Sequence, residues 1–297
     1  QVGWGEFFAL ASPMAWALAV VLFRKSGETL PPFELNLLKN GFSLLLVALT
    51  LAGGTLLFGG DWPQFGAMDY GIILASGMLG MALADTLYLR TINLVGAGRA
   101  GVIGSLLSPF VILVSALYLG ERLTTGQWAG FALVMAGILV VTLKRYQTEV
   151  TPEALRLGLL LGVVATAIMA IGVVIVKPLL EQGPFLWVVA IRLAGGVIAM
   201  LAVVALRRNW SQVIDAYRQP QPWAMTLFAC FLGGFGGSVL WLAGYKLIPA
   251  SEASIYNEAQ AIFVVLFAWW FLKEPLNARK IAGVLLTLAG VLVMLLV

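Results

Sequence analysis

The sequence contains no histidine and a single cysteine, Cys230. The absence of histidine excludes any mechanism that depends on an imidazole, and one cysteine cannot form an intrachain disulfide. Cys230 lies in an apolar run, where an unreactive buried thiol is the expected role. Because carboxylates are not clustered either, we expect neither a metal nor another cofactor, and no enzyme activity.

Charged residues are scarce as well. They make up 11% of the chain, against 61% hydrophobic residues, whereas an ordinary soluble domain has roughly 25% charged residues. This composition predicts a protein embedded in a lipid bilayer. The formal charge of +4 does not indicate a nucleic-acid partner, because the positions of basic residues matter more than their sum in a membrane protein.

Apolar segments of helix length recur along the chain, separated by short links rich in proline and glycine. The first segment lacks the charged stretch and cleavage site of a signal peptide, so we interpret it as a membrane helix. We predict ten transmembrane helices, near residues 5–23, 35–57, 69–89, 97–119, 128–143, 157–176, 185–206, 224–243, 253–272 and 281–297. The links between them contain Pro31-Pro32, Gly59-Gly60, Pro178 with Pro184, and Pro220 with Pro222.

The two halves of the sequence match each other at a constant offset of 153 residues, which indicates a duplicated unit. We divide the chain into a first repeat (1–146), a linker (147–156) and a second repeat (157–297). Because each repeat has an odd number of spans, the second repeat enters the membrane from the opposite side. The predicted fold class is an all-α membrane protein of two inverted five-helix repeats, an architecture typical of transporters.

The charged residues between the spans are distributed unevenly. Thirteen of the 18 basic residues fall on one side of the predicted membrane, while Arg122, Lys177 and Lys246 fall on the other. By the positive-inside rule the first side is cytoplasmic and both termini lie outside. Glu121 and Glu274 stand at equivalent span ends, where we expect a structural role in the turn.

Glycines mark two places where helices are expected to approach closely. Gly130 with Gly137, and Gly283 with Gly290, are each seven residues apart and therefore share a helix face. We predict that the fifth helix packs against the tenth there, with dimerisation as the alternative. The glycine-rich run 233–237 lacks the lysine of a phosphate-binding loop, so we interpret it as a site of close packing or a flexible break.

A repeated block stands out in the two halves. It comprises Pro109, the run Gly120-Glu121-Arg122-Leu123, the run Glu274-Pro275-Leu276 and the four paired glycines. This block resembles the EamA domain of the drug/metabolite transporter superfamily, one unit per half, and within it the aromatic amino-acid exporters of the YddG type. The resemblance implies a ten-helix carrier in a bacterial-type inner membrane that moves metabolites, often amino acids outward.

The sequence departs from the family pattern in two respects. Ile262 stands where the first repeat has Pro109. The family's arginine in the second helix of a repeat is present as Arg192 in the second half, but the first half has Lys39-Asn40. Symmetric use of that position is therefore in question.

Charged groups inside the spans are the main functional candidates, because a charge at mid-membrane costs about 2.5 kcal/mol or more unless it faces partners or water. We predict that Lys39 and Asp85 form the inner end of a translocation path, and Arg192 and Glu258 its outer end. Ion pairs that merely lock helices together are the alternative. The further substrate-binding candidates are polar or aromatic residues near them: Trp16, Asn40, Tyr88, Ser105, Trp241, Tyr245, Tyr256 and Asn257.

We therefore expect a secondary transporter that exports large or aromatic amino acids, or related small metabolites, by alternating access. Zwitterions suit these candidate residues because cationic side chains and carboxylates both lie near aromatic side chains. The alternative is a proton-coupled exporter of drugs or organic cations, but the first helix offers only Glu6 at its edge where such a carrier would need a deep carboxylate. The expected partners are the small-molecule substrate and the lipid bilayer, and a monomer should suffice.

Overall fold

The computed structural model describes residues 3–26, 30–59, 63–95, 100, 103–142, 150–272 and 278–296. All regular elements within these ranges are helical, which confirms the predicted all-α class. Two π-helical segments, π1 (Met78–Ala84) and π2 (Cys230–Gly236), each join two α-helices into one rod. The α-helices are α1 (Trp4–Ser26), α2 (Pro32–Phe58), α3 (Ala67–Gly77), α4 (Asp85–Val95), α5 (Leu107–Tyr118), α6 (Thr125–Thr142), α7 (Pro152–Gln182), α8 (Phe185–Arg207), α9 (Trp210–Arg218), α10 (Trp223–Ala229), α11 (Gly237–Leu247), α12 (Ala250–Asn257), α13 (Gln260–Leu272) and α14 (Ala278–Leu296).

Several helices have the length and composition to cross a membrane. Six described stretches meet both conditions, and two shorter apolar helices, α5 and α6, accompany them. The protein is therefore a multi-pass membrane protein. The six stretches are Pro32–Leu57, Ala67–Thr91, Pro152–Gln182, Phe185–Arg207, Trp223–Leu247 and Ala278–Leu296.

Proline and capping residues start many of these helices, but one predicted break is wrong. Pro32 and Pro152 occupy first-turn positions, where a missing N–H costs nothing. The hydroxyl of Thr151 accepts a hydrogen bond from the Ala154 N–H at 3.3 Å, so α7 begins inside the segment that we predicted as a linker. Pro178 does not end this helix, which continues to Gln182.

Each repeat carries the same two irregularities. π1 and π2 lie at almost equivalent positions of the third predicted span. The fourth span is also interrupted at equivalent positions, by a turn at Ser105 and Leu106 in the first half and by a turn at Glu258 and Ala259 in the second. The predicted continuous span 253–272 is thus wrong in detail, because α12 and α13 are separate helices. Discontinuous helices of this kind are common at the centre of transporters.

Glycine contacts hold the last helices of the two repeats together. A Cβ atom on Gly137 would lie 2.6 Å from the carbonyl oxygen of Gly283, and one on Gly290 would lie 2.7 Å from that of Gly130. Only glycine allows the backbones of α6 and α14 to come this close. The predicted packing of these helices is confirmed.

The rods that contain the π segments cross from one repeat to the other. The rod of α3, π1 and α4 packs against α7 and α8, and the rod of α10, π2 and α11 packs against α1 and α2. A Cβ on Gly234 would lie 3.0 Å from the Lys39 side chain, so the glycine-rich run is a site of close packing as predicted.

Glu121 links the repeats at one end of the bundle. Its carboxylate accepts hydrogen bonds from the backbone N–H groups of Ala250 and Ser251, at 2.8 and 2.9 Å. These are free donors at the start of α12, so Glu121 caps a helix of the other repeat. Glu121 was predicted to have a structural role in its own turn; the contacts observed are structural but join it to the other repeat. Glu274 lies outside the described residues.

Candidate functional site

The charged residues inside the bundle follow the internal repeat only in part. Lys39 on α2 and Arg192 on α8 are 153 residues apart and therefore equivalent. Asp85 has Ser238 as its equivalent, and Glu258 has Ser105. Each half thus contributes one cation and one acid, and the acids stand at different positions of the repeat.

Lys39 is neutralised within its own repeat. Its ammonium lies 2.8 Å from Oδ2 of Asp85, which begins α4. It also lies 5.1 Å from the ring centroid of Trp16 on α1, within the range of a cation–π interaction. Lys39 and Asp85 thus form an ion pair. Their place at the inner end of a translocation path stays a prediction.

Arg192 has no such partner. Its side chain is buried, with 1% of the residue exposed, and Nε and Nη1 have no hydrogen-bond partner. Among the described residues no acid lies within ion-pair distance of it. The guanidinium carbon lies 5.2 Å from the ring centroid of Trp241. A Cβ on Gly80 would lie 2.9 Å from Nη2, so π1 forms another wall.

Glu258 is held by serines and not by Arg192. It lies in the turn between α12 and α13, and its Oε1 accepts a hydrogen bond from the Ser108 hydroxyl at 2.6 Å. The Ser108 N–H and the Ser105 hydroxyl also donate to this carboxylate. Arg192 and Glu258 are therefore not paired in this conformation, because the carboxylate occupies the N-terminus of α5. Their place at the outer end of a translocation path stays a prediction.

Tyr245 is within electrostatic range of both Arg192 and Glu258. Its ring packs edge-on against Trp241, with 5.2 Å between the ring centroids. The hydroxyl is buried and has no hydrogen-bond partner. We call the buried Arg192 and Tyr245, with the half-buried Glu258, the central site. Trp241 forms its apolar wall.

Lys177 supports this site, although the sequence placed it outside the membrane. Its ammonium donates to the carbonyl oxygens of Tyr245 and Ile248, at 2.6 and 2.8 Å, and pairs with Glu181 at 2.7 Å. It thereby satisfies free carbonyl groups at the end of α11. The signal that could have found it is its position one helical turn before Glu181.

Three of the remaining predicted residues lie near the charged groups of the bundle. The Tyr88 hydroxyl donates to the Ala100 carbonyl at 3.0 Å, and Tyr88 interacts electrostatically with Glu258 at the central site. Ser105 and Trp16 also lie at charged groups, as described above.

Three other predicted residues have contacts apart from the central site. The Asn40 amide donates to the Met81 carbonyl at 3.2 Å, and the Asn257 amide donates to the Ala253 carbonyl at 2.7 Å. Tyr256 is buried, and the acids within its electrostatic range are Glu252 and Glu6. A role for these three in binding substrate gains no support.

Metal ligands do not gather in the part of the chain that the structure describes. No three His, Cys, Asp or Glu side chains come close enough there to hold an ion. The groups that line the central site offer recognition by charge, hydrogen bonding and aromatic contact.

Comparison with known proteins gives two matching segments that cover most of the chain. Residues 3–143 and 156–296 each match the EamA-like transporter family. A solved crystal structure superimposes with a TM-score of 0.76 at 18% identity, and the match covers 98% of this chain and 96% of the other, so the two share a fold.

Several bacterial transporters are similar in sequence. A probable terminal-alkyne amino-acid exporter of Streptantibioticus cattleyicolor is 29% identical over 83% of this chain and 78% of the relative. The uncharacterized transporter YvbV of Bacillus subtilis is 25% identical over 82% and 78%. The pseudopaline exporter CntI of Pseudomonas aeruginosa is 22% identical over 94% and 91%.

Proposed function

The chain belongs to the EamA-like transporter family, and from that premise we propose that it is a secondary carrier that exports amino acids or closely related zwitterions. Membership of this family confirms the expectation of a transporter and not an enzyme. In the proposal, alternating access moves the substrate across a bacterial-type inner membrane. A single chain contains both repeats, so a monomer suffices.

Arg192 is the observation that carries the proposal. A buried guanidinium with two nitrogens that lack hydrogen-bond partners is expensive in an apolar interior. Its cost falls when an anion binds, and guanidinium groups bind carboxylates through charge-assisted hydrogen bonds. The partnerless hydroxyl of Tyr245 offers a further donor nearby. We assign the substrate carboxylate to this end of the central site.

Glu258 supplies the opposite charge for a zwitterion. Its hydrogen bonds to Ser105 and Ser108 offset part of the cost of burying a carboxylate. An ammonium group placed against it would be neutralised. Tyr245 lies within electrostatic reach of both ends, which favours a substrate that carries both charges.

Aromatic side chains complete the site and favour large substrates. Trp241 and Tyr245 pack edge to face beside Arg192, and an apolar substrate side chain would gain about 1 kcal/mol from each such contact. The relative named as an amino-acid exporter supports both this substrate class and the outward direction. An organic cation suits the site less well, because the unpaired Arg192 would repel it.

We further propose ten crossings, with both termini outside and the basic side in the cytoplasm. Single cysteines at Arg207 and Gln182, in a Cys230→Ser background, test this arrangement. A membrane-impermeant thiol reagent applied to intact cells should label the cysteine at 182 and spare the one at 207. The opposite pattern would reverse the orientation, and labelling of both would contradict the span count.

The function is tested by transport into liposomes that contain the purified protein. Labelled phenylalanine should enter faster than labelled alanine, and tetraphenylphosphonium should not enter, with or without a pH gradient. Lys246→Gln, which alters a basic residue outside the central site, is the matched control for Arg192→Gln. Uptake of the organic cation alone would overturn the proposal.

A further inference from the structure

Two buried cations at equivalent positions of the repeats differ in their ion pairing. Lys39 and Arg192 are equivalent in the two repeats, yet the equivalent of Asp85 is Ser238. Lys39 holds Asp85 at 2.8 Å, while Arg192 has no ion pair among the described residues. Because a bare charge inside the membrane is costly, a carboxylate that reached Arg192 during the transport cycle would lower the free energy of that state.

The π1 segment brings Asp85 towards Arg192. The Asp85 N–H bonds to the Gly80 carbonyl, so these two residues lie one π-helical turn apart on the same face. Gly80 itself borders the guanidinium, since a Cβ there would lie 2.9 Å from Nη2. Asp85 also interacts electrostatically with Arg192. One turn of helix therefore separates Asp85, which Lys39 holds, from Gly80, which borders the guanidinium of Arg192.

We propose that Asp85 pairs with each of these cations in turn. In the empty carrier it takes the place of the substrate carboxylate at Arg192. It pairs with Lys39 in the conformation described and with Arg192 after the two repeats have exchanged conformations. When substrate is bound, its own carboxylate neutralises Arg192 and Asp85 stays with Lys39. This inference rests on the proposed function.

Removal of this carboxylate has a specific consequence. The Glu258 carboxylate is held by Ser105 and Ser108, so in the proposal a carrier without Asp85 neutralises Arg192 through the substrate and returns only when it is loaded. Net efflux should then stop, whereas exchange of substrate for substrate should continue. In Asp85→Asn we expect net efflux to fall by about tenfold or more and exchange to change by less than about threefold.

The experiment compares the two modes in the same liposomes. Vesicles loaded with labelled phenylalanine are diluted into buffer without phenylalanine for net efflux, or with unlabelled phenylalanine for exchange. Asp69→Asn is the matched control, because Asp69 lies on the same rod and its carboxylate only caps α3, accepting from the Gly66 N–H at 3.0 Å. It should leave both modes unchanged.

A double variant shows whether Asp85 neutralises Arg192 during transport or neutralises Lys39 alone. Lys39→Met with Asp85→Asn removes the ion pair as a unit and avoids a bare lysine, so it also tests the inference if Asp85→Asn does not fold. Net efflux should stay low and exchange should persist. Recovery of net efflux in the double variant would mean that Asp85 only neutralises Lys39, and would overturn the inference.

The remaining outcomes are also decisive. Normal net efflux in Asp85→Asn, or loss of both modes in a folded double variant, would overturn the inference and leave the proposed function standing. Absence of phenylalanine movement in the unmodified protein would remove the proposed function and the inference with it.

Discussion

At the scale of single residues, Arg192 is held in place at a cost to stability. The guanidinium is buried against Trp241 and Gly80, and two of its nitrogens have no hydrogen-bond partner. Lys177 is equally inaccessible, but it donates to two carbonyl groups and pairs with Glu181. The buried cation thus stabilises the fold at Lys177 and destabilises it at Arg192. A destabilising buried charge is typical of functional sites.

Arg192→Met should separate stability from function. Methionine keeps most of the side-chain volume and removes the unpaired charge. We therefore expect the free energy of unfolding to rise by about 1–4 kcal/mol. Transport should be abolished. Thermal unfolding of the purified protein in detergent, together with phenylalanine uptake, measures both effects.

Lys177→Met is the matched control for that variant. It leaves the carbonyls of Tyr245 and Ile248 without their donor, so its unfolding temperature should fall. If Arg192→Met were destabilised as strongly as Lys177→Met, then Arg192 would be part of the fold and not a binding group.

At the scale of elements, the π segments and helix breaks create the site. π1 places Gly80 against Arg192 and Asp85 against Lys39. The break before α13 brings Glu258 to the N-terminus of α5. A straight helix at either place would turn these groups towards other neighbours. The irregular backbone is kept in place by side chains of α2, since the amides of Asn36 and Asn40 both donate to the Met81 carbonyl.

Asn40→Leu tests whether that residue serves the fold or the substrate. The variant loses the bond to Met81 and the bond to Asn36 Oδ1. We expect the free energy of unfolding to fall by about 1–2 kcal/mol, with the KM for phenylalanine unchanged. Thr50→Val on the same helix, which removes only an exposed bond to the Leu46 carbonyl, should change neither. A raised KM in Asn40→Leu at unchanged stability would return Asn40 to the binding site.

The sequence predicted regular features better than irregular ones. The offset of 153 residues, the glycine pairs and the apolar runs are local or periodic, so they could be recognised without coordinates. The π segments depend on tertiary partners such as Asn36, which periodicity does not reveal. The pairing of Lys39 with Asp85 was predicted correctly. The serine partners of Glu258 were not predicted, because position along a span does not determine which neighbour a side chain faces.

At the scale of the whole molecule, the two repeats interlock and do not merely stand side by side. The rods that contain π1 and π2 pack against helices of the opposite repeat, and Glu121 caps a helix that belongs to the other half. Any exchange of conformation between the repeats must therefore move the walls around Lys39 and Arg192 together. This coupling is what alternating access requires of a carrier built from a duplicated unit.

The central claim is that the carrier recognises both charges of an amino acid, the carboxylate at Arg192 and the ammonium at Glu258. Competition for labelled phenylalanine uptake in liposomes tests it most directly. Phenylalaninol lacks the carboxylate and N-acetylphenylalanine lacks the ammonium, while both keep the aromatic ring. We predict that unlabelled phenylalanine inhibits uptake at least about tenfold more strongly than either derivative, since each lost ionic contact costs about 1.5–3 kcal/mol. Inhibition by phenylalaninol as strong as that by phenylalanine would contradict the account.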